Sequence, residues 1–249
     1  MSGHNKWSTI KHKKGKADAA RGKLFTKIIK EITVAARAGG GNEDSNPRLR
    51  TAILAAKAAN MPSDNVSRAI KKGTGELEGV AYEEITYEGY GPEGVAIIVA
   101  CVTDNKNRCV SEVRHTFTRY NCKLAEIGSV SWIFKDAAKV SVDAAGASED
   151  ALMEATLDAG VDDIENQGDA FVLYCPYAAM EAVKAAAEKA GFKVTESGPT
   201  KIPSNTVKVE GKSAESVLKL LDALDELDDV QNVWANFEMD DAEFAKLSA

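Results

Sequence analysis

From Lys16 to Arg37 the apolar residues return with a helical period. Placed at 100° per residue, Leu24, Phe25, Ile28, Ile29, Ile32, Ala35 and Ala36 share one side of the wheel, a face that must be packed against something. Lys16, Lys23, Lys27, Lys30 and Arg37 gather on the other side, within roughly 40° of one line. A polar lead-in precedes the helix and carries His4, Lys6, Trp7, Lys11, His12, Lys13 and Lys14. It holds little to bury and is expected to order only on binding. Trp7 has two readings: it folds back onto the helical domain, or it offers a base-stacking platform worth about 1–3 kcal/mol. His4 and His12 read as phosphate or backbone contacts rather than metal ligands, because no thiol or carboxylate stands near them at ligand spacing.

Two further helices follow. Gly39-Gly40-Gly41 ends the first. Asn46-Pro47 reads as the N-cap and first position of the second, which runs to Asn60 with Leu49, Ile53 and Ala56 inward and Arg48, Arg50 and Lys57 outward. Ser63 or Asp64 caps the third, with Val66, Ala69 and Ile70 inside, Arg68, Lys71 and Lys72 outside, and Gly73 closing it. The result is a small basic helical domain.

Charge sharpens this. Residues 1–72 carry 16 Lys/Arg against 5 Asp/Glu, a net of +11, whereas residues 73–249 carry 15 against 33, a net of −18. The chain's overall net charge of −7 hides this split, which suggests that one end grips a polyanion while the acidic body stays off it. No apolar run is long enough to span a membrane and no signal-peptide pattern is visible, so a cytoplasmic protein is expected. Cys101, Cys109, Cys122 and Cys175 form no CxxC pair and read as reduced thiols.

From Val80 the pattern alternates between strand and helix. Tyr82–Tyr90 and Val95–Val102 read as strands joined by Gly89-Tyr90-Gly91-Pro92-Glu93-Gly94. A helix from Lys106 to about Tyr120 and a strand Val130–Phe134 follow. Residues 139–196 then make a complete β–α–β–β–α–β unit, and the halves before and after it add up to a second. The expected fold class is α+β: a three-helix basic domain (1–78), an α+β domain in two pieces (79–136 and 203–249), and a ferredoxin-like α+β domain (137–202) inserted into it.

Tests for chemistry find no catalytic centre. The GxGxxG at Gly89–Gly94 joins two strands instead of opening a helix, so it is a turn. Gly211-Lys212-Ser213 lacks the first glycine of a P-loop and reads as a strand end followed by a Ser N-cap. Cys109, His115 and Cys122 lack a fourth ligand for zinc. No metal and no cofactor is expected. At Asp104-Asn105-Lys106-Asn107-Arg108 a helix begins with amides and a cation, so Asn105, Asn107, Arg108 and, two turns on, Arg114 form a candidate second phosphate contact. An ordinary capped helix start is the competing reading.

The strings GHNKWSTIKHKKGKADAARGKLFTKIIKEITVAAR, NPRLRTAILAAKAANMP, AIKKGTGELEG, YEGYGPEGVA, TDNKNRCVSEVRH and GSVSWIF occur in that order. Together they resemble the YebC family, which includes the mitochondrial translational activator of cytochrome c oxidase. The likeness is dense from Ser2 to Phe134 and looser to the end. At Asn121-Cys122-Lys123-Leu124-Ala125 the chain departs from the glycine-rich turn of that family. The resemblance implies three domains with the third inserted into the second, and a cytoplasmic, non-enzymatic regulator of gene expression. It implies action on DNA in transcription or on ribosomes stalled at difficult sequences such as proline runs.

Between these partners the residues favour the ribosome, meaning rRNA or also tRNA, with double-stranded DNA as the alternative. The outward faces of the second and third helices offer Ala, Lys and Arg, which contact phosphates, and few of the amides that read base edges. Oligomeric state leaves no signature in the sequence.

Overall fold

The structure, a computed structural model, describes Trp7 and residues 17–248. The chain is α+β, with N-terminal helices and two α+β domains built on antiparallel sheets. Three helices come first: α1 (Ala17–Gly39), α2 (Pro47–Ala58) and α3 (Ser63–Thr74). Asn46 joins the first two. Its Oδ1 accepts from Leu49 N at 3.1 Å, while its Nδ2 donates to Ala35 O at 2.8 Å and Gly40 O at 2.9 Å. One buried amide thus caps both the end of α1 and the start of α2. Ile28, Ile32, Ala35, Leu49, Ile53, Ala56 and Ala69 form the core.

Helix α3 departs from expectation at both ends. Pro62, with no side-chain cap, precedes it, and the left-handed residue that ends it is Gly75 (φ 81°). Gly73 lies inside the helix, where a Cβ would stand 2.4 Å from Thr33 O and 2.8 Å from Ala36 Cβ. Only a residue without a side chain lets α3 approach the α1 backbone so closely.

The chain divides into two compact units, one of them Ile133–Ser204. In the other, β1 (Glu83–Tyr90) and β2 (Ala96–Thr103) form a hairpin whose turn carries Glu93 at φ 55°. The four-stranded sheet runs β3-β1-β2-β9, with β3 (Lys123–Ala125) at one edge and β9 (Val230–Ala235) at the other. α4 (Lys106–Arg119) and a second helix, Gly211–Asp225, enclose a core with Ile97, Val99, Val113, Phe117, Leu220 and Leu221. β8 (Val207–Lys208) and β10 (Phe237–Glu238) pair in parallel beside it.

The expected strand at Val130–Phe134 does not form. Glu88, buried on β1, accepts from the N–H groups of Gly128 (2.9 Å), Val130 (2.6 Å) and Ser131 (2.9 Å), so these donors are unavailable to a ladder. Residues 131–133 form a 3-10 turn instead. Strand β3 went unread in the sequence; Asn121 at φ 56° turns the chain into it.

Within Ile133–Ser204, β4 (Phe134–Asp143), α5 (Glu149–Thr156), β5 (Asp163–Asn166), β6 (Ala170–Cys175), α6 (Met180–Lys189) and β7 (Val194–Pro203) follow in order. The sheet order β5-β6-β4-β7 is that of a ferredoxin-like unit, with Val140, Val142, Leu152, Leu173 and Val183 in its core. The helix Gly211–Asp225 is α7, and a last helix, α8 (Asp241–Ser248), ends the described chain. Ser213 does not cap α7; its hydroxyl meets Glu93 Oε1 at 2.7 Å, and Glu210 is the N-cap residue.

Candidate nucleic-acid interface

The cations of α1 are engaged by the chain itself, Lys30 buried, Lys27 half-buried, and Lys23 and Arg37 still exposed. They lie along the end of α7, where helix carbonyls are left without intrahelical donors and the macrodipole is negative. Lys23 Nζ donates to Glu226 O at 3.0 Å. Lys27 Nζ reaches Asp225 O at 3.0 Å and Asp225 Oδ1 at 3.1 Å. Lys30 Nζ reaches Asp228 O at 2.8 Å and Asp229 Oδ1 at 2.7 Å, and Lys30 is only 6% exposed. Arg37 Nη1 donates to Tyr82 O at 2.8 Å. Of the ridge read from the wheel, Lys27 and Lys30 therefore form an internal latch, in ion pairs with the chain's own carboxylates.

Trp7 is corrected in the same way. Its indole is 4% exposed within the core below the sheet, and Nε1 donates to Asp222 Oδ1 at 2.7 Å. Neither reading of Trp7 stands, since it packs on the α+β core instead of the helical domain and presents no face to a base. His4, Lys6, Lys11, His12, Lys13, Lys14 and Lys16 lie outside the described residues.

Asp229 is the centre of the latch. Besides Lys30, it accepts from Thr103 Oγ1 at 2.8 Å and from Arg108 Nη2 at 2.8 Å. Burial alone would raise its pKa, but Lys30, Arg108 and Thr103 outweigh that and hold the carboxyl below its ordinary range. Arg108 is shared with Asp104 at 2.6 Å, and Asn105 Oδ1 caps α4 by accepting from Arg108 N at 3.1 Å. These groups border a cleft of about 340 Å³ lined by Lys30, Tyr82, Asp104, Arg108, Glu112, Asp228 and Asp229. With four carboxylates against two cations, it repels phosphate. The second phosphate contact expected at Asn105 and Arg108 is thus a capped helix start locked by ion pairs. Asn107 and Arg114 are exposed beside it.

Of the remaining cations, Arg48 is bound on both sides, to Glu31 (2.7 Å) and Glu84 (2.6 Å), and these hydrogen bonds raise its already high pKa. Arg50 donates to Glu43 O and Asp44 O. Arg68, Lys71 and Lys72 differ. At spacings of three and four residues they share one exposed face of α3, opposite Val66, Ala69 and Gly73, and no carboxylate is paired with them among the described residues. Lys57, exposed near the end of α2, is likewise unpaired among those residues. The close approach at Gly73 holds this face rigidly outward.

What sequence reasoning missed is the acidic counterpart. Asp225 and Asp229 pair with Lys27 and Lys30, and nothing in the spacing of either stretch alone marks them as partners. No helix among the described residues is long and apolar enough to cross a membrane.

Comparison with known proteins places this geometry. The family model described as the TACO1/YebC protein N-terminal domain matches residues 5–76, and that of the TACO1/YebC second and third domain matches residues 82–237. A probable transcriptional regulatory protein of Geobacter sulfurreducens is 56% identical over 247 residues, covering 99% of this chain and all of that protein. One of Desulforapulum autotrophicum is 54% identical over 241 residues, covering 97% and 98% of the two chains. The crystal structure of the conserved hypothetical protein Aq1575 from Aquifex aeolicus superposes with a TM-score of 0.87 at 48% identity, covering 93% of this chain and 96% of that one. With both family models matched in order along its length, the chain belongs to the TACO1/YebC family.

Proposed function

We propose that this protein is a non-enzymatic, cytoplasmic regulator of gene expression of the YebC type, acting on the ribosome to relieve stalled synthesis such as that at proline-rich sequences. In this reading the domains divide as 1–78, 79–136 with 203–249, and 137–202. The face of α3 made by Arg68, Lys71 and Lys72, together with Lys57 at the end of α2, meets rRNA phosphates, and the basic lead-in adds to it. The observation that carries the reading is that Arg68, Lys71 and Lys72 cluster on one exposed helix face with no carboxylate paired to them among the described residues, on a helix packed closely against α1 at Gly73. Lys and Arg on such a face contact phosphate and carry no base code, which suits a folded RNA surface better than a promoter sequence.

A second reading is supported by what the relatives are called: probable transcriptional regulatory proteins would act on double-stranded DNA. One pair of measurements separates the two. On the ribosome reading the protein sediments with ribosomal particles at moderate salt and leaves no footprint on promoter duplexes. Sedimentation apart from those particles, with a protected site on a duplex, would overturn it in favour of transcription.

A further inference from the structure

The segment 126–132 exposes two large apolar side chains, Ile127 (88%) and Trp132 (71%), on a backbone that is held firmly from beneath. Glu88, itself 4% exposed, takes three of its N–H groups. Above them, one carbonyl collects two aromatic donors: Ser129 O accepts from Tyr90 Oη at 3.0 Å and from Trp132 Nε1 at 3.0 Å. The polar tip of each ring is thereby hydrogen-bonded to the chain's own backbone. What Trp132 presents outward is an ordered π face with no donor left to offer.

The charge around this loop selects the partner. Arg114, Arg119 and Lys123 lie exposed on α4 and β3, which lead directly into it, and Lys123 stands opposite Tyr90 in the β1–β3 register. No ion pair holds them among the described residues; Arg119 lies 6.0 Å from the Tyr120 ring centroid. The sequence from Arg114 to Trp132 carries these three cations and one carboxylate, Glu126, inside a region whose net charge is −18, and the Glu88 carboxylate beneath the loop is taken up by backbone N–H groups. An apolar protein pocket would cover the ring and leave the cations unmatched, whereas a single strand supplies a base for the ring and phosphates for the cations.

From this geometry we infer that Trp132, on the platform built by Glu88, Ser129 and Tyr90, stacks on an unpaired nucleobase of RNA, with Arg119 and Lys123 on the flanking phosphates. This rests on the RNA reading above and adds to it a second, base-contacting site distinct from the α3 face.

The test uses the full chain and labelled single-stranded oligoadenylate and oligouridylate, with a blunt RNA duplex beside them. Trp132→Ala should weaken binding to oligoadenylate by about 5- to 140-fold, the range of base–aromatic stacking, and leave the salt slope unchanged. Trp132→Phe should retain most of the affinity, and the preference for adenylate over uridylate should vanish in Trp132→Ala. Duplex binding should not move. Equal affinity of wild type and Trp132→Ala for oligoadenylate, while the variant Arg68→Ala/Lys71→Ala/Lys72→Ala loses binding, would overturn the stacking site and leave RNA binding standing. No binding of any RNA by the wild type would remove both. A change in the chain's own self-association on replacing Trp132, with RNA affinity unaltered, would assign the ring to a protein contact and overturn the proposal.

Discussion

Replacing Asp229 with alanine should be the most damaging single change to the junction between α1 and the sheet. The substitution strips Lys30 of its carboxylate partner at 2.7 Å and removes the acceptor of Thr103 and Arg108. Breaking a buried ion pair from one side costs about 3–5 kcal/mol, because the remaining charge is left in low dielectric. Lys30 keeps the Asp228 carbonyl at 2.8 Å and Arg108 keeps Asp104 at 2.6 Å, so the lower end applies, about 3 kcal/mol. Urea unfolding at neutral pH, followed by circular dichroism, reads it as a lowered midpoint at constant slope. Lys30→Met combined with Asp229→Leu should cost less than the sum of the single changes, by about 2 kcal/mol. The folded pKa of Asp229 is depressed, so its contribution is fully present at neutral pH. It fades as pH falls below about 4 and through the folded value, and the gap between wild type and Asp229→Asn should close there. A cost for Asp229→Ala under about 1 kcal/mol would refute the view that this carboxylate holds the latch.

Other parts of the fold give sharp expectations. Gly73→Ala should destabilise by about 1–3 kcal/mol, since its Cβ would press on Thr33 O at 2.4 Å, and chemical denaturation measures this directly. Glu88→Gln should cost about 2 kcal/mol at neutral pH by weakening three charge-assisted bonds from backbone N–H groups. Burial works to raise the pKa of Glu88, but those N–H groups hold it low, so the difference from wild type should shrink as pH drops below about 4. Asn46→Ala should cost about 1–2 kcal/mol and speed amide exchange at Leu49, whose N–H loses its acceptor.

The elements legible in the sequence were those with local causes. Asn46-Pro47 marks the start of α2 because its cap is built within three residues, and the Gly89–Gly94 turn follows from its own composition. The β–α–β–β–α–β order of residues 139–196 appears because each element there has a distinct period and a turn signal. What stayed hidden depends on distant partners. The wheel of α1 shows which face is cationic, but not that residues 225–229, nearly two hundred positions away, lie against it. Part of the charge asymmetry read as attraction for an external polyanion is thus satisfied internally, by Lys27 and Lys30. Trp7 meets Asp222 across 215 positions, and the non-strand at 128–131 follows from Glu88 forty residues earlier. Helix α8 escaped notice as a short, acid-started segment at the chain end.

In the function proposed above, the N-terminal cations sort into an inward latch and an outward face that meets phosphate. This sorting is tested most directly by the salt dependence of binding to ribosomal particles. Arg68→Ala/Lys71→Ala/Lys72→Ala, compared with wild type, should lower the log–log slope by about 2–3 while leaving the urea midpoint in place. Lys23→Ala alone should leave the slope unchanged. A triple variant that kept the wild-type slope, with Lys23→Ala flattening it, would contradict this division of the cations.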